Sequence, residues 1–174
     1  MQILLNALRE YIPMAKLFTA FLSFVAGIVV AAAIGFYSLP GLMIKEIPSP
    51  YSFDETLVKI EANAKAEGWK VPKSWKVNFQ KNLLKVVKID IGPNKLIKMC
   101  EPKAAADILI HDELKRLSVM MPCTIGVYEK SDGKTYITIM NMKILGLLFG
   151  DVVDDITTEL APQMEKMVTL KPAD

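Results

Sequence analysis

Between Leu17 and Tyr37 the chain reads LFTAFLSFVAGIVVAAAIGFY, twenty-one residues without a charge. At about 1.5 Å of rise per residue, a helix of that length crosses a hydrocarbon core of roughly 30 Å. Inside lipid the backbone has to satisfy its own hydrogen bonds, so a helix is the form such a segment takes. A transmembrane helix is therefore expected over residues 17–39, with Phe36 and Tyr37 at an interfacial belt and Pro40-Gly41 as its stop. A cleaved signal peptide is the rival reading, because Lys16 precedes the run and Ala31-Ala32-Ala33 resembles a cleavage site. The run is longer than the usual apolar region of about 7–15 residues, and it continues past the alanines, which fits an anchor better.

Arg9 and Lys16 precede the span, whereas the twenty residues after Tyr37 carry only Lys45. The positive-inside rule then predicts a single-pass protein with a cytoplasmic N-terminus and an extracytoplasmic domain. Residues 1–16 form a short interfacial or cytoplasmic tail, with Ile3, Leu4, Ala7 and Leu8 at helical spacing. A net charge of +2 gives no sign of nucleic acid as a partner. The lipid bilayer is the partner that the sequence does imply.

Residues 42–170 suit one domain, with 171–174 a tail. Leu42–Ile47 reads as a short strand closed by Pro48 and Pro50. Ser52 and Glu55 make a capping box for a helix that ends at Gly68, with Phe53, Leu57, Ile60 and Ala64 as its buried stripe. A second helix is expected from Ser74 to about Ile89, burying Trp75, Phe79, Leu83 and Val86. Residues 65–103 hold ten lysines against Glu67, Asp90 and Glu101, a basic stretch suited to a solvated face or to anionic headgroups. A strand over 95–100, a short helix over 104–110 and a hairpin of strands 124–129 and 134–140 around Asp132-Gly133 follow. A helix over 152–167, perturbed by Pro162, completes an α+β domain: a small antiparallel or mixed sheet covered by helices, preceded by one N-terminal transmembrane helix. Gly146, Gly150 and Phe149 near Leu147-Leu148 read as a close-packed turn or an apolar contact surface, with a core corner favoured over a binding groove.

The residues that carry chemistry lie between Lys98 and Glu129, which include both cysteines, Cys100 and Cys123, and the one histidine, His111. Met99, His111, Met120 and Met121 are secondary candidates around this thiol pair. Four readings stay open: core filler, a disulfide, a reactive or sulfur-carrying thiol activated by Lys98 and Lys103, and ligation of a soft metal or haem. The spacing matches no metal motif, and the sequence requires no cofactor. The pair can meet only if the strands bearing them are antiparallel neighbours. No phosphate-binding glycine loop, nucleophile elbow or metalloprotease helix occurs, so a conventional enzyme is not indicated.

Tyr51-Ser52-Phe53-Asp54-Glu55-Thr56, Gly68-Trp69, Cys100-Glu101-Pro102, Met121-Pro122-Cys123-Thr124-Ile125-Gly126-Val127-Tyr128-Glu129, Asp132-Gly133-Lys134 and Met140-Asn141 occur in this order. In this the chain resembles domain-of-unknown-function family 302 over about residues 42–170. The resemblance implies a small α+β domain able to form homodimers, with no established biochemical role. The chain looks like a subgroup with Cys-x-Pro and Met-Pro-Cys, to which a membrane anchor is added. Two functions then stand side by side: a membrane-anchored binding or redox and sulfur-handling domain that uses its cysteine pair, and a non-catalytic accessory subunit of a larger membrane complex. Gly27 and Ala31, spaced four apart and extended by Ala32 and Gly35, would let such a span pack closely against another.

Overall fold

A computed structural model describes the backbone of residues 2–172 and the side chains of Met14 and residues 16–172. The chain divides into two compact units, Met1–Gly41 and Leu42–Asp174.

The first unit is helical throughout its described residues. Helix α1 runs from Gln2 to Met43, and its stretch Lys16–Met43 is long and apolar enough to cross a membrane, with a mean hydropathy of 2.5 over its most apolar 18 residues. Pro40-Gly41 does not stop it. Proline's fixed φ is itself helical and forfeits one hydrogen bond, which a last turn can lose. The helix instead ends where the first strand begins. The amphipathic pattern at Ile3, Leu4, Ala7 and Leu8 falls outside the described side chains, and Ala173 and Asp174 fall outside the described residues.

The second unit is a five-stranded antiparallel sheet packed by helices. Its strands are β1 (Ile44–Pro48), β2 (Lys76–Asn78), β3 (Asn94–Met99), β4 (Cys123–Glu129) and β5 (Thr135–Met140), in the order β1-β5-β4-β3-β2. Helices α2 (Phe53–Ala66), α3 (Phe79–Val87), α4 (Pro102–Leu109), α5 (Met142–Phe149) and α6 (Asp151–Val168) complete it. The expected α+β class holds, and the sheet is wholly antiparallel.

Strand alternation builds the core. The register aligns Ile97 with Ile125 and Ile125 with Ile139, so these side chains share one face with Met99, Val127 and Ile137, all buried. Phe53, Leu57, Ile60 and Ala64 of α2 and Leu160, Met164 and Met167 of α6 meet that face. Each such side chain contributes about 1.5–3 kcal/mol by leaving water. At the start of α2 the Glu55 carboxylate accepts from the Ser52 backbone N–H at 3.2 Å and from its hydroxyl at 2.6 Å, as the capping-box pattern predicts. The β4–β5 hairpin closes with Lys130 and Lys134 hydrogen-bonded and Gly133 at φ +74°, a conformation that favours glycine.

In this unit one expectation fails. The helix expected from Ser74 to Ile89 is broken into a 3-10 turn, strand β2 and α3, because Lys76–Asn78 pairs with β3 and Asn78 caps the helix by accepting from Lys81 N–H at 2.9 Å. None of α3 is buried; Phe79 and Val86, assigned to a buried stripe, are exposed. The close-packed corner expected at Gly146 to Gly150 is present as the turn from α5 into α6, with Gly150 at φ +90°. Gly146 lets α5 lie against α6, since a Cβ there would stand 2.9 Å from the Cα of Asp154.

Sheet polarity fixes what lies at each end. Ile44 pairs with Met140 and Met99 with Cys123, so the start of β1 and β4 and the finish of β3 and β5 share one end, at which the chain enters from α1. Helix α3 leaves β2 after Asn78, which pairs with Lys95, and returns to β3 at Asn94. It belongs to the opposite end.

Candidate functional site

At the entry end of the sheet lies a cavity of about 180 Å³ lined by Met120, Met121, Met140, Met142 and Met164, together with Cys123. Three stretches of chain bring these residues to one cavity. Met120 closes the 3-10 segment Asp112–Met120, and Met121 leads through Pro122 into Cys123 at the start of β4. Met140 ends β5 and Met142 begins α5, while Met164 comes from the middle of α6. Ile139, Leu145, Val119 and Thr124 line the rest, and Lys98 supplies the charged side chain of the lining.

Of the sequence candidates, Cys123, Met120 and Met121 meet here. Met99 does not: it is fully buried among the core side chains. His111 is exposed just before the 3-10 segment. Cys100 is a neighbour of the cavity rather than part of its lining. Strands β3 and β4 are antiparallel neighbours, yet it is Met99 that stands opposite Cys123, and strand alternation sends Cys100 to the other side of the pleat. Cys100 exchanges two backbone hydrogen bonds with Lys70, at 2.8 and 3.0 Å, and its thiol faces the Glu101 carbonyl at 3.5 Å. Both cysteines are free thiols.

The expected activation of Cys100 by Lys98 and Lys103 is contradicted, and Cys123 is not activated either. Burial pushes the Cys123 thiol up to about 11, and the nearby Cys100 adds to the effect. Cys100 is raised as well, by burial first and then by the Glu101 carboxylate. That carboxylate caps α4, accepting from the Lys103 N–H at 3.2 Å, so its negative charge is held beside Cys100. Lys103 turns to Asp107 at 2.8 Å. At neutral pH both sulfurs are therefore protonated, and an unassisted thiolate nucleophile is not what this geometry makes.

Met140, Met142 and Met164 were missed in the sequence because they are far from the cysteines along the chain. The signal that could have found them is the strand register, which brings the end of β5 beside the start of β4. Among the described residues no three His, Cys, Asp or Glu side chains form a group that could hold a metal ion, and the cavity lining is rich in methionine.

A second polar cluster lies on the sheet face away from the helices. Tyr128 and Tyr136 stack at 6.1 Å, Lys130 approaches the Tyr136 ring at 4.1 Å, and Glu46 accepts from Lys130 at 2.6 Å and from the Tyr128 hydroxyl. Lys130 and then Tyr128 hold the Glu46 carboxyl below its usual range, while desolvation and then Glu46 push Tyr128 up to about 12. These groups satisfy one another and enclose no cavity.

An antiparallel sheet with helices on one face and strand order β1-β5-β4-β3-β2 defines a small α+β domain, here carrying a sulfur-lined cavity at one sheet end. The model of the family described as "Domain of unknown function DUF302" matches residues 45–170, and the chain belongs to that family. Its fold is similar to the crystal structure of an uncharacterized conserved protein DUF302 from Bacillus stearothermophilus, with a TM-score of 0.64 at 20% identity, covering 73% of this chain and 96% of that one. No curated protein matches the chain.

Proposed function

We infer that the chain is a membrane-anchored binding domain for a soft metal ion of the copper(I) class, held in the methionine-lined cavity with Cys123 as its anionic ligand. The observation that carries this reading is that five methionines and one cysteine share the lining of a single cavity. Thioether and thiolate sulfur are the ligands that select copper(I). One thiolate and one monovalent cation sum to zero charge, which suits an apolar cavity where an unpaired charge is expensive. The ion displaces the thiol proton on binding, so the exchange leaves the charge of the site unchanged even though burial holds that proton tightly. The cavity is smaller than the roughly 300–1,000 Å³ of organic ligand sites, which suits an ion better than haem.

The test is competition for copper(I) between the detergent-purified chain and a chromogenic chelator, followed by X-ray absorption of the complex. Stoichiometric transfer with a sulfur-only shell is expected, lost in Cys123→Ser and weakened at least about tenfold in Met121→Leu, a volume-conserving change that keeps the fold. Failure of the parent protein to take copper(I), or a shell built of nitrogen and oxygen, overturns the reading.

One observation favours a second reading, that of an accessory subunit in a membrane complex. Helix α3 leaves Phe79, Leu84, Val86 and Val87 exposed, together with Ile89 just beyond it, beside Lys81, Lys85 and Lys88. An amphipathic helix without a buried residue has an apolar side still to be covered. Recovery of the detergent-extracted protein as a lone monomer would count against this reading.

A further inference from the structure

We propose that α5 is a lipid contact: its exposed leucines, Leu147 and Leu148, enter the same bilayer that α1 spans, so that the domain is held to the membrane at two points. This rests on the reading of α1 as a membrane span, and it is independent of what the cavity binds.

Three observations lead to it. First, α5 begins one hydrogen bond from the end of the apolar helix. Its capping residue, Asn141, donates its backbone N–H to the Met43 carbonyl at 2.8 Å and its side-chain amide to the Leu42 carbonyl at 2.9 Å. The eight residues of α5 extend about 12 Å from that clamp. Second, the helix is apolar almost all round, MKILGLLF, yet only Met142 and Gly146 are buried. Leu147 is 78% and Leu148 63% exposed, an arrangement that water disfavours and lipid does not. Third, the surroundings continue the apolar surface: Leu42, Ile44 and Met140 at the same sheet end are exposed, as is Val119 on the cavity rim. Lys143 is the single charged residue of α5 and Asp151 follows it, so the contact is apolar and asks for no anionic headgroup. Helix α3, the other exposed amphipathic element, departs from the far end of the sheet and serves as the internal control.

The experiment reconstitutes the full chain in phosphatidylcholine vesicles and compares three variants, Leu148→Trp, Val86→Trp and Phe24→Trp, each against the parent emission of Trp69 and Trp75. Brominated phosphatidylcholine and aqueous acrylamide serve as quenchers. The expected result is that Leu148→Trp and Phe24→Trp lose most of their added emission to the bromolipid and are shielded from acrylamide, while Val86→Trp shows the reverse. Quenching of Phe24→Trp without Leu148→Trp overturns the lipid contact and leaves the anchor standing. Absence of quenching at Phe24→Trp overturns the anchor, and the contact with it. Shielding of Leu148→Trp from both quenchers assigns the surface to a protein neighbour and overturns the proposal, as does equal bromolipid quenching at Leu148→Trp and Val86→Trp.

Discussion

Cys123 offers a direct measure of the environment that the cavity imposes. In a Cys100→Ser background it is the one thiol left, and its rate of alkylation by iodoacetamide reports its thiolate fraction. An ordinary thiol near 9.0 is about one-tenth ionised at pH 8, and one pushed up to about 11 is about one-thousandth ionised. The folded protein should therefore label about a hundredfold more slowly than the same chain in denaturant. Removing Cys100 leaves most of this intact, since burial is the larger cause and the Cys100 charge the smaller. The pH profile separates ionisation from simple obstruction: the native rate should rise to a midpoint near 11, the denatured rate to one near 9. The native state keeps its proton where the unfolded chain gives it up, so this contribution to stability is complete below about 9 and is lost as pH climbs towards 11. Intact mass against time across that range is the assay. A native midpoint at or below 9 would mean an activated thiolate and would refute the reasoning.

Three further outcomes follow from the same coordinates. Gly126→Ala places a Cβ 2.6 Å from Cγ2 of Thr138 and 3.5 Å from Leu96, and should cost about 1–3 kcal/mol in urea unfolding; Thr138→Ser, which removes that methyl, should restore most of it, and an unchanged loss in the double variant counts against the contact. Glu46→Gln should bring the ultraviolet titration of Tyr128 down from about 12 while leaving it above the ordinary 10, because desolvation is the larger cause and remains; no movement at all would remove Glu46 from the account. Lys98→Gln should tighten copper(I) binding in the chelator competition, since it removes a like charge from the cavity lining; weaker binding would show Lys98 acting on the site in another way.

The sequence made the helices and strands legible where a local signal coincided with tertiary need. Ser52 and Glu55 cap α2, Asp132-Gly133 turns the hairpin, and the Phe53, Leu57, Ile60 and Ala64 stripe is buried. It misled where local pattern and burial part company: Trp75, Phe79, Leu83 and Val86 have helical spacing, but the sheet takes Lys76–Asn78 as a strand and leaves α3 outside. Helix α5 escaped notice because its glycine reads as a breaker until α6 is laid against it. Half of the candidate site was visible in the same way. Met120, Met121 and Cys123 are adjacent in sequence, whereas Met140, Met142 and Met164 join them only through strand pairing and the packing of α5 and α6.

The place of β1 at the sheet edge beside β5 bears on how the protein is made. Its pairing of Ile44 with Met140 joins residues about a hundred positions apart, so the first strand has no partner until most of the chain has been synthesised. The apolar helix precedes all of it and can enter a bilayer while the ribosome is still extending the domain. Sheet closure therefore comes late in synthesis, and until β5 is complete the first strand is an unpaired edge that has to be kept from other chains.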